Sequence, residues 1–348
     1  MEATKKQELA KVAGRRKVSG KVGKGISTLI RKAVFLTVSL ILRWPIWVIL
    51  VILRPLRLFD YLFLVYPGSD CDLDGYCPRW LAKSWIFSGK PTIGGIVTKG
   101  RAGVRGLVLV VPNTIQEFSA SKPLCWFVLR RLERLNWLVG SRVIALAGML
   151  PGVVERKQKV PFGSQFVRGI HGTVFCVMET VERARKKDVG TFQVAQIGVG
   201  HCGGALYNAL YQDDHRVRGI DIRPTKKGVL LPEESRAVLE QADMVVVLTP
   251  RGSDFDPYTG WLKAGATVID DTHPRITKKP DGVEFIKVAV GLNGVEFRPR
   301  LPGYRANWIP GCAVEAIVCA SRGDCSDLNF NQFRKRAIDL GFFAHLDC

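Results

Sequence analysis

At 348 residues, with 47% apolar and 24% charged residues, the chain has an ordinary globular composition and room for two domains with a sizeable core. Its net charge of +20 is uneven, because thirteen lysines and arginines against two glutamates put +11 into residues 1–57 and leave +9 for the other 291. The charge therefore excludes any need for a nucleic-acid-binding body, and no nucleic-acid partner is expected. Nine cysteines are scattered without a C-x-x-C pair, which excludes a zinc knuckle and predicts free thiols in a reducing compartment, with no metal site.

Residues 1–32 are polar and rich in Lys, Gly and Arg, and read as a disordered basic arm. The segment 33–65 begins with A-V-F-L-T-V-S-L-I-L-R-W-P-I-W-V-I-L-V-I-L, 21 residues with one charge, long enough to cross a bilayer as a helix. Arg43 costs about 2.5–3.5 kcal/mol at a bilayer centre, which the apolar residues can offset at roughly 0.3–0.6 each. Basic residues flank both ends, Arg31 and Lys32 before and Arg54 and Arg57 after, so both ends belong on the cytoplasmic face. Lys32, Arg43 and Arg54 are spaced by elevens and fall on one line of a helix. That stripe suits an in-plane or re-entrant helix, kinked at Pro45, with membrane lipids as partners of residues 33–57. The expected location is the cytoplasmic face of a membrane, most naturally a bacterial inner membrane.

Residues 66–170 read as an α/β domain, with strands at 106–111 and 142–147 and a helix over 124–139. No glycine fingerprint occurs there, so it is assigned to substrate. His171-Gly-Thr opens a helix over 174–187 that leads into the next domain, and His171 is a candidate catalytic base.

Residues 171–305 carry the clearest motif. An apolar strand at 194–197 runs into Gly198-Val-Gly200-His-Cys-Gly203, and a helix pattern continues over 205–211. This is the strand, glycine turn and helix context of a dinucleotide fingerprint. Gly198 suits the tight turn, Gly200 the approach to a pyrophosphate, and Gly203 the packing of helix on strand. A second strand, 217–220, ends at Asp221, 18 residues after Gly203. A carboxylate there accepts from ribose hydroxyls and favours NADH, whereas Arg223 would suit the 2′-phosphate of NADPH; the balance falls slightly to NADH. Further strands at 243–248, 266–270 and 285–290 alternate with helices at 234–241 and 254–263. The alternation predicts a Rossmann-like, doubly wound parallel sheet, with Thr249, Pro250 and the loop after Asp270 at strand ends where ligands bind.

Residues 306–325 contain W-I-P-G-C-A-V-E-A-I-V-C, a helix opened by Pro310 and closed by Gly323. Cys312 lies in its first turn, where a helix N-terminus lowers a thiol pKa, although free cysteine is equally at home in a core. Cys319, two turns further on, reads as core. Residues 326–348 are left as a C-terminal tail.

The segment G-C-A-V-E-A-I-V resembles the catalytic cysteine segment of the cyanobacterial-type long-chain acyl-[acyl-carrier-protein] reductases, which form fatty aldehydes. V-G-L-N-G-V-E-F (290–297), I-H-G-T-V-F-C-V-M-E-T-V-E-R-A (170–184), I-A-L-A-G-M-L-P-G-V-V-E (144–155) and I-D-D-T-H-P-R are similar to further segments of that family, in its order, over roughly residues 100–321. The resemblance implies reduction of an acyl thioester, on acyl carrier protein or coenzyme A, by NAD(P)H through an acyl-Cys312 intermediate. It gives Glu315 a supporting role beside the thiol. His273 stands where that family tends to have a tyrosine, and the N-terminal anchor is an addition to the family's pattern. Two alternatives remain open: an NAD(P)-dependent dehydrogenase of a small polar substrate without covalent catalysis, and a non-catalytic membrane adaptor that binds NAD(H).

Overall fold

The computed structural model describes residues 28–346 apart from 31, 35, 38–40, 42, 69–72, 75–83, 85–86, 186–191, 213–215, 224–227 and 324–327. The basic arm over 1–27 lies outside the described residues, as do Cys71, Cys77, Cys325 and Cys348.

Helix α1, Arg43–Ile52, is followed by a 3-10 turn, Arg54–Leu56, that ends on Arg57 in the left-handed region (φ 45°). Leu50 is buried against the body, while Val48, Ile49, Ile52 and Leu56 face outward. Helix α1 starts where the described residues resume, positions 28–30, 32–34 and 36 before it are also helical, and among the described residues no helix is long and apolar enough to cross a membrane. Residues 35, 38–40 and 42 of that segment lie outside the described residues.

The first sheet is built from β1 (Tyr61–Val65), β2 (Thr92–Val97), β3 (Gly106–Val110), β4 (Val143–Leu146) and β5 (Phe166–Val167). A sixth strand, β13 (Phe297–Arg298), returns from far along the chain and completes the order β13-β2-β3-β1-β4-β5. Strands β3, β1, β4 and β5 are parallel, and β2 and β13 close one edge antiparallel. Tyr-Leu-Phe-Leu-Val and Gly-Leu-Val-Leu-Val are buried throughout, as continuous apolar runs must be when both faces of a parallel sheet are covered. Helix α2 (Ile115–Ala120) starts at a capping box made by Thr114 and Glu117, and Ser121 caps α3 (Lys122–Val139). Helix α3 buries Cys125, Val128, Leu129 and Leu132 and ends on Gly140 with φ 74°.

Helix α4 (Ile170–Ala184) leads to the second sheet: β6 (Gln193–Ile197), α5 (His201–Gln212), β7 (Arg216–Ile220), β8 (Val229–Leu230), α6 (Arg236–Gln241), β9 (Met244–Val247), β10 (Thr267–Asp270) and β11 (Glu284–Lys287). Its order, β11-β10-β9-β6-β7-β8, is parallel throughout. Numbered from β6, that is 3-2-1-4-5-6, the order of a doubly wound dinucleotide sheet. The predicted fold class holds in this respect.

After β12 (Val290–Gly291) and β13, helix α7 (Gly311–Arg322) returns to pack on α4 and on β1, β4 and β5. The stretch left as a tail contains α8 (Phe330–Leu340) and β14 (Phe343–Ala344), which pairs with β12. Phe175 and Val177 of α4, with Val314 and Ile317 of α7, join Tyr61 and Phe63 of the first sheet to Val194 and Met244 of the second in one apolar core. Cys319 is buried, and Cys125, Cys176, Cys202 and Cys312 are free.

Candidate active site

In the second sheet the strand order reverses between β6 and β9, and the glycine turn leaves β6 at that point. Gly198 has φ 92°, a conformation that L side chains rarely adopt. A Cβ on Gly203 would lie 2.0 Å from the Gly198 carbonyl oxygen, so α5 packs on the turn only because a hydrogen stands there. At Gly200 an added Cβ would meet nothing within 4 Å, which leaves open space beside the backbone. Gln196, buried in β6, donates from its side-chain amide to the Gly198 and Gly203 carbonyls at 3.0 and 2.6 Å and holds the turn closed.

Asp221 follows β7, and its carboxylate accepts the Val199 N–H at 2.6 Å and the Arg223 N–H at 2.9 Å. It therefore ties the second strand's end to the glycine turn. A carboxylate has about four acceptor positions, so it retains capacity for a ribose hydroxyl. Arg223 is exposed beside it. Thr249 hydrogen-bonds to the Arg251 carbonyl at 2.9 Å and Pro250 is exposed, both just past β9. The Leu248 carbonyl lies against Gly198, so the β9 loop flanks the turn. The turn, the open space at Gly200 and the remaining acceptor capacity of Asp221 fit a nicotinamide dinucleotide.

Strand β10 delivers two adjacent carboxylates with different surroundings. Asp270 accepts from the Thr272 N–H, the Thr272 hydroxyl and the Ile276 N–H at 2.8, 2.6 and 3.1 Å, and lies 3.6 Å from Lys287 Nζ. It organises the loop. Asp271 is partly buried, and burial pushes its carboxyl up to about 7, with Lys287 opposing and Asp270 adding to the rise. Its charge acts on Cys312, Cys202 and Cys176. His273 is exposed, stacks on Tyr304 with ring centroids 5.5 Å apart, and packs against Gly303.

Cys312 is the second residue of α7, after Gly311. The backbone at Gly148, just beyond β4, favours the thiolate, whereas the Ala313 N–H is donated to the Pro310 carbonyl at 2.8 Å. Gly169 lies so close that a Cβ there would come 2.8 Å from the Cys312 Cβ. The expected lowering of the thiol pKa is corrected: burial outweighs the helix end and the N–H donors and pushes Cys312 up to about 11. Cys202, in the glycine turn, is raised to about 12 for the same reason.

Glu315, one turn after Cys312, reaches the start of α4 and accepts the Gly169 and Gly172 N–H groups at 3.1 and 3.0 Å. It is buried and satisfies donors that a helix start otherwise leaves unpaired. The approach is close: a Cβ on Gly172 would meet the Gly311 carbonyl oxygen at 2.0 Å, and one on Gly311 the Thr173 Cα at 2.5 Å. His171 packs on Phe333 and Phe330 with centroids 5.6 and 6.1 Å apart, as part of the α4–α8 contact.

Cys312, Asp271 and the glycine turn at Cys202 thus share one electrostatic neighbourhood, with Glu315 acting on it as well. Sequence reasoning overlooked Asp271, Gly148 and Gly169. The doublet Asp270-Asp271 at a strand end was a visible signal for the first, but nothing local marks the two glycines. His201 was also missed. It opens α5, its Nε2 is buried without a hydrogen-bond partner, and burial followed by Arg156 lowers its pKa. Arg156 precedes Arg168, which clamps Glu155 through both oxygens, with a shortest contact of 2.6 Å.

No family model matches the chain, and no curated protein does. Among solved structures it is similar to quinate dehydrogenase from Corynebacterium glutamicum in complex with NAD, at 14% identity over 81% of this chain and 99% of that one, with a TM-score of 0.40. It is also similar to L-tryptophan dehydrogenase from Nostoc punctiforme, at 12% identity over 81% and 80% of the two chains, with a TM-score of 0.38. Dipicolinate synthase from Bacillus halodurans matches at 12% identity over 43% of this chain, with a TM-score of 0.28, and the chain spans 60% of that protein's length. Likeness at this level carries no statement about activity. The class rests on the chain's own strand order and glycine turn, an α/β protein with a doubly wound dinucleotide-type sheet.

Proposed function

We propose that the chain is an NAD(P)H-dependent oxidoreductase working between its two sheets, and that its substrate is an acyl thioester reduced to an aldehyde through Cys312. The observation that carries this reading is the shared neighbourhood of Cys312, Asp271 and the glycine turn. Gly198, Gly200 and Gly203 would hold the pyrophosphate, and Asp221 and Arg223 would face the ribose. When bound, the reduced nicotinamide supplies the hydride, so that acyl thioester, NAD(P)H and one proton yield aldehyde, carrier thiol and NAD(P)+.

The chain's own residues manage the thiol and its proton. With Cys312 at about 11 and Asp271 at about 7, the resting site keeps the thiol protonated. Proton transfer from Cys312 to Asp271 accompanies attack of the sulfur on the acyl carbon, and Asp271 then protonates the departing carrier thiolate. The Gly148 N–H would stabilise the thiolate as it forms, and again when the C–S bond breaks to release aldehyde. Glu315 holds α4 and α7 together so that Gly169 and Cys312 stay in contact, a positioning role. A long acyl chain would also account for an apolar N-terminal segment at a membrane surface.

A second reading has its own observation. The thiol at about 11 suits a packed cysteine, leaving Asp271 as the acid–base group of a dehydrogenase acting on a small polar substrate. Intact-protein mass spectrometry after mixing with a long-chain acyl thioester, without nicotinamide, separates the two. The thioester reading expects an added acyl mass that Cys312→Ala abolishes. Failure to form an adduct with any carrier or chain length, in protein that binds NAD(P)H, would leave the dehydrogenase.

A further inference from the structure

Helix α3 carries a second pattern on the side away from its buried face. Trp126, Arg130, Arg134 and Trp137 follow at intervals of four, four and three, one stripe along the helix. Trp126 and Trp137 are 53% and 62% exposed, unusual for the most costly apolar side chain to leave in water. The stripe borders a shallow, open depression on the outer face of α3 itself, lined also by Phe127, Arg131, Glu133 and Leu138. Guanidinium groups lie over the rings: Arg54 over Trp137 at 4.4 Å, Arg131 over Phe127 at 4.3 Å and Arg130 over Trp126 at 5.4 Å.

Arg54 links this face to α1, which packs on α3 and turns Val48, Ile49, Ile52 and Leu56 outward. The result is a row of exposed aliphatic side chains beside a row of tryptophans, with arginines among them. Tryptophan rings favour the headgroup level of a bilayer, aliphatic groups the acyl boundary, and arginines the phosphates. A nucleic-acid groove has use for the arginines and rings but none for the aliphatic row.

We propose that the outer face of α3, together with α1, is a docking surface for an anionic lipid bilayer, so that the catalytic body itself lies on the membrane. The proposal deepens the membrane reading of residues 33–57 and rests on it. Trp126 and Trp137 insert at headgroup depth, Ile49 and Ile52 reach the acyl boundary, and Arg54, Arg130 and Arg134 pair with lipid phosphates.

Vesicle flotation of the full chain tests it, with vesicles of phosphatidylcholine alone or with phosphatidylglycerol added. Wild type is expected to prefer the anionic vesicles. W126S/W137S/R130Q/R134Q is expected to weaken partitioning at least about tenfold and to remove that preference. R130Q/R134Q alone, the milder change, should lose the preference while keeping the rings. Thermal melts identify any variant that does not fold. Wild-type partitioning by both α3 variants, alongside loss in Ile49→Glu/Ile52→Glu, would overturn the α3 surface and leave the N-terminal anchor standing. No flotation of the wild type would overturn both. Binding of a single-stranded oligonucleotide that depends on Arg130 and Arg134, with flotation unchanged, would assign this face to nucleic acid instead.

Discussion

The two sheets contribute to the candidate site in different ways. In the second, one continuous stretch supplies strand, turn and helix, and its closing contacts are local: Gly198 to Gly203, Gln196 to both, and Asp221 to Val199. In the first, Gly148, Gly169 and Cys312 come from three separate segments, and Glu315 pins two of them across 146 residues. A cofactor site made from one supersecondary unit is robust to distant change. A thiol site assembled from three segments depends on a helix–helix contact that glycine alone permits.

Changes at the thiol should have the largest effect. Cys312→Ala is expected to lower aldehyde formation at least about a thousandfold while sparing the fold, read by turnover with an acyl thioester and by thermal melting. Wild-type turnover in that variant would end the covalent mechanism.

Next comes the contact that holds the thiol helix. Glu315→Ala leaves the Gly169 and Gly172 donors buried and unpaired, a loss of about 3 kcal/mol in urea denaturation. Gly172→Ala places a Cβ where the Gly311 carbonyl stands and should cost a similar about 3 kcal/mol. Near-neutral values for both would mean that α4 and α7 adjust freely and that the thiol site is as robust as the glycine turn.

Asp271 offers a pH-resolved test. Its carboxyl is raised to about 7, so the folded protein binds a proton that the unfolded chain releases near 3.8. The native state is therefore unpenalised below pH 4 and loses stability as pH rises through 7. Asp271→Asn should raise stability by about 2 kcal/mol at pH 8, allowing for its partial exposure, and by little at pH 4. The same variant should slow acylation. A stability difference independent of pH would show that Asp271 is already charged in the fold.

The smallest expected effect separates the two halves most cleanly. Gly200→Ala adds a methyl group into open space, so stability should move by less than about 1 kcal/mol. NAD(P)H affinity should fall about tenfold, measured by fluorescence titration, because the methyl lies where the backbone meets the pyrophosphate. Unchanged affinity would move the dinucleotide away from this turn.

Much of the second half was legible because its signals are short-range. An apolar run, three glycines and an acidic residue 18 positions later specify strand, turn, helix and strand in order. The helix around Cys312 was equally visible from Pro310 and Gly323, which bracket Gly311–Arg322. The thiol's chemistry was not, because a helix position argues for a lower pKa while burial, which only packing sets, drives it upward. In the 33–53 segment apolar length suggests a membrane-associated helix, and only the packing shows that Leu50 of α1 is buried on the protein itself. The helix Phe330–Leu340 was overlooked because its apolar face is narrow, Phe333 and Ala337 among polar residues.

By itself, the sequence determined the α/β class, the dinucleotide-type turn and the helix that presents Cys312, since each follows from contacts within a few residues. Only the tertiary structure decided that Cys312 is buried within electrostatic reach of Asp271, that Glu315 caps another helix, and that α3 turns tryptophans and arginines outward beside α1. Those arrangements depend on which distant faces are buried together, and burial sets both the pKa values and the surfaces left for a partner.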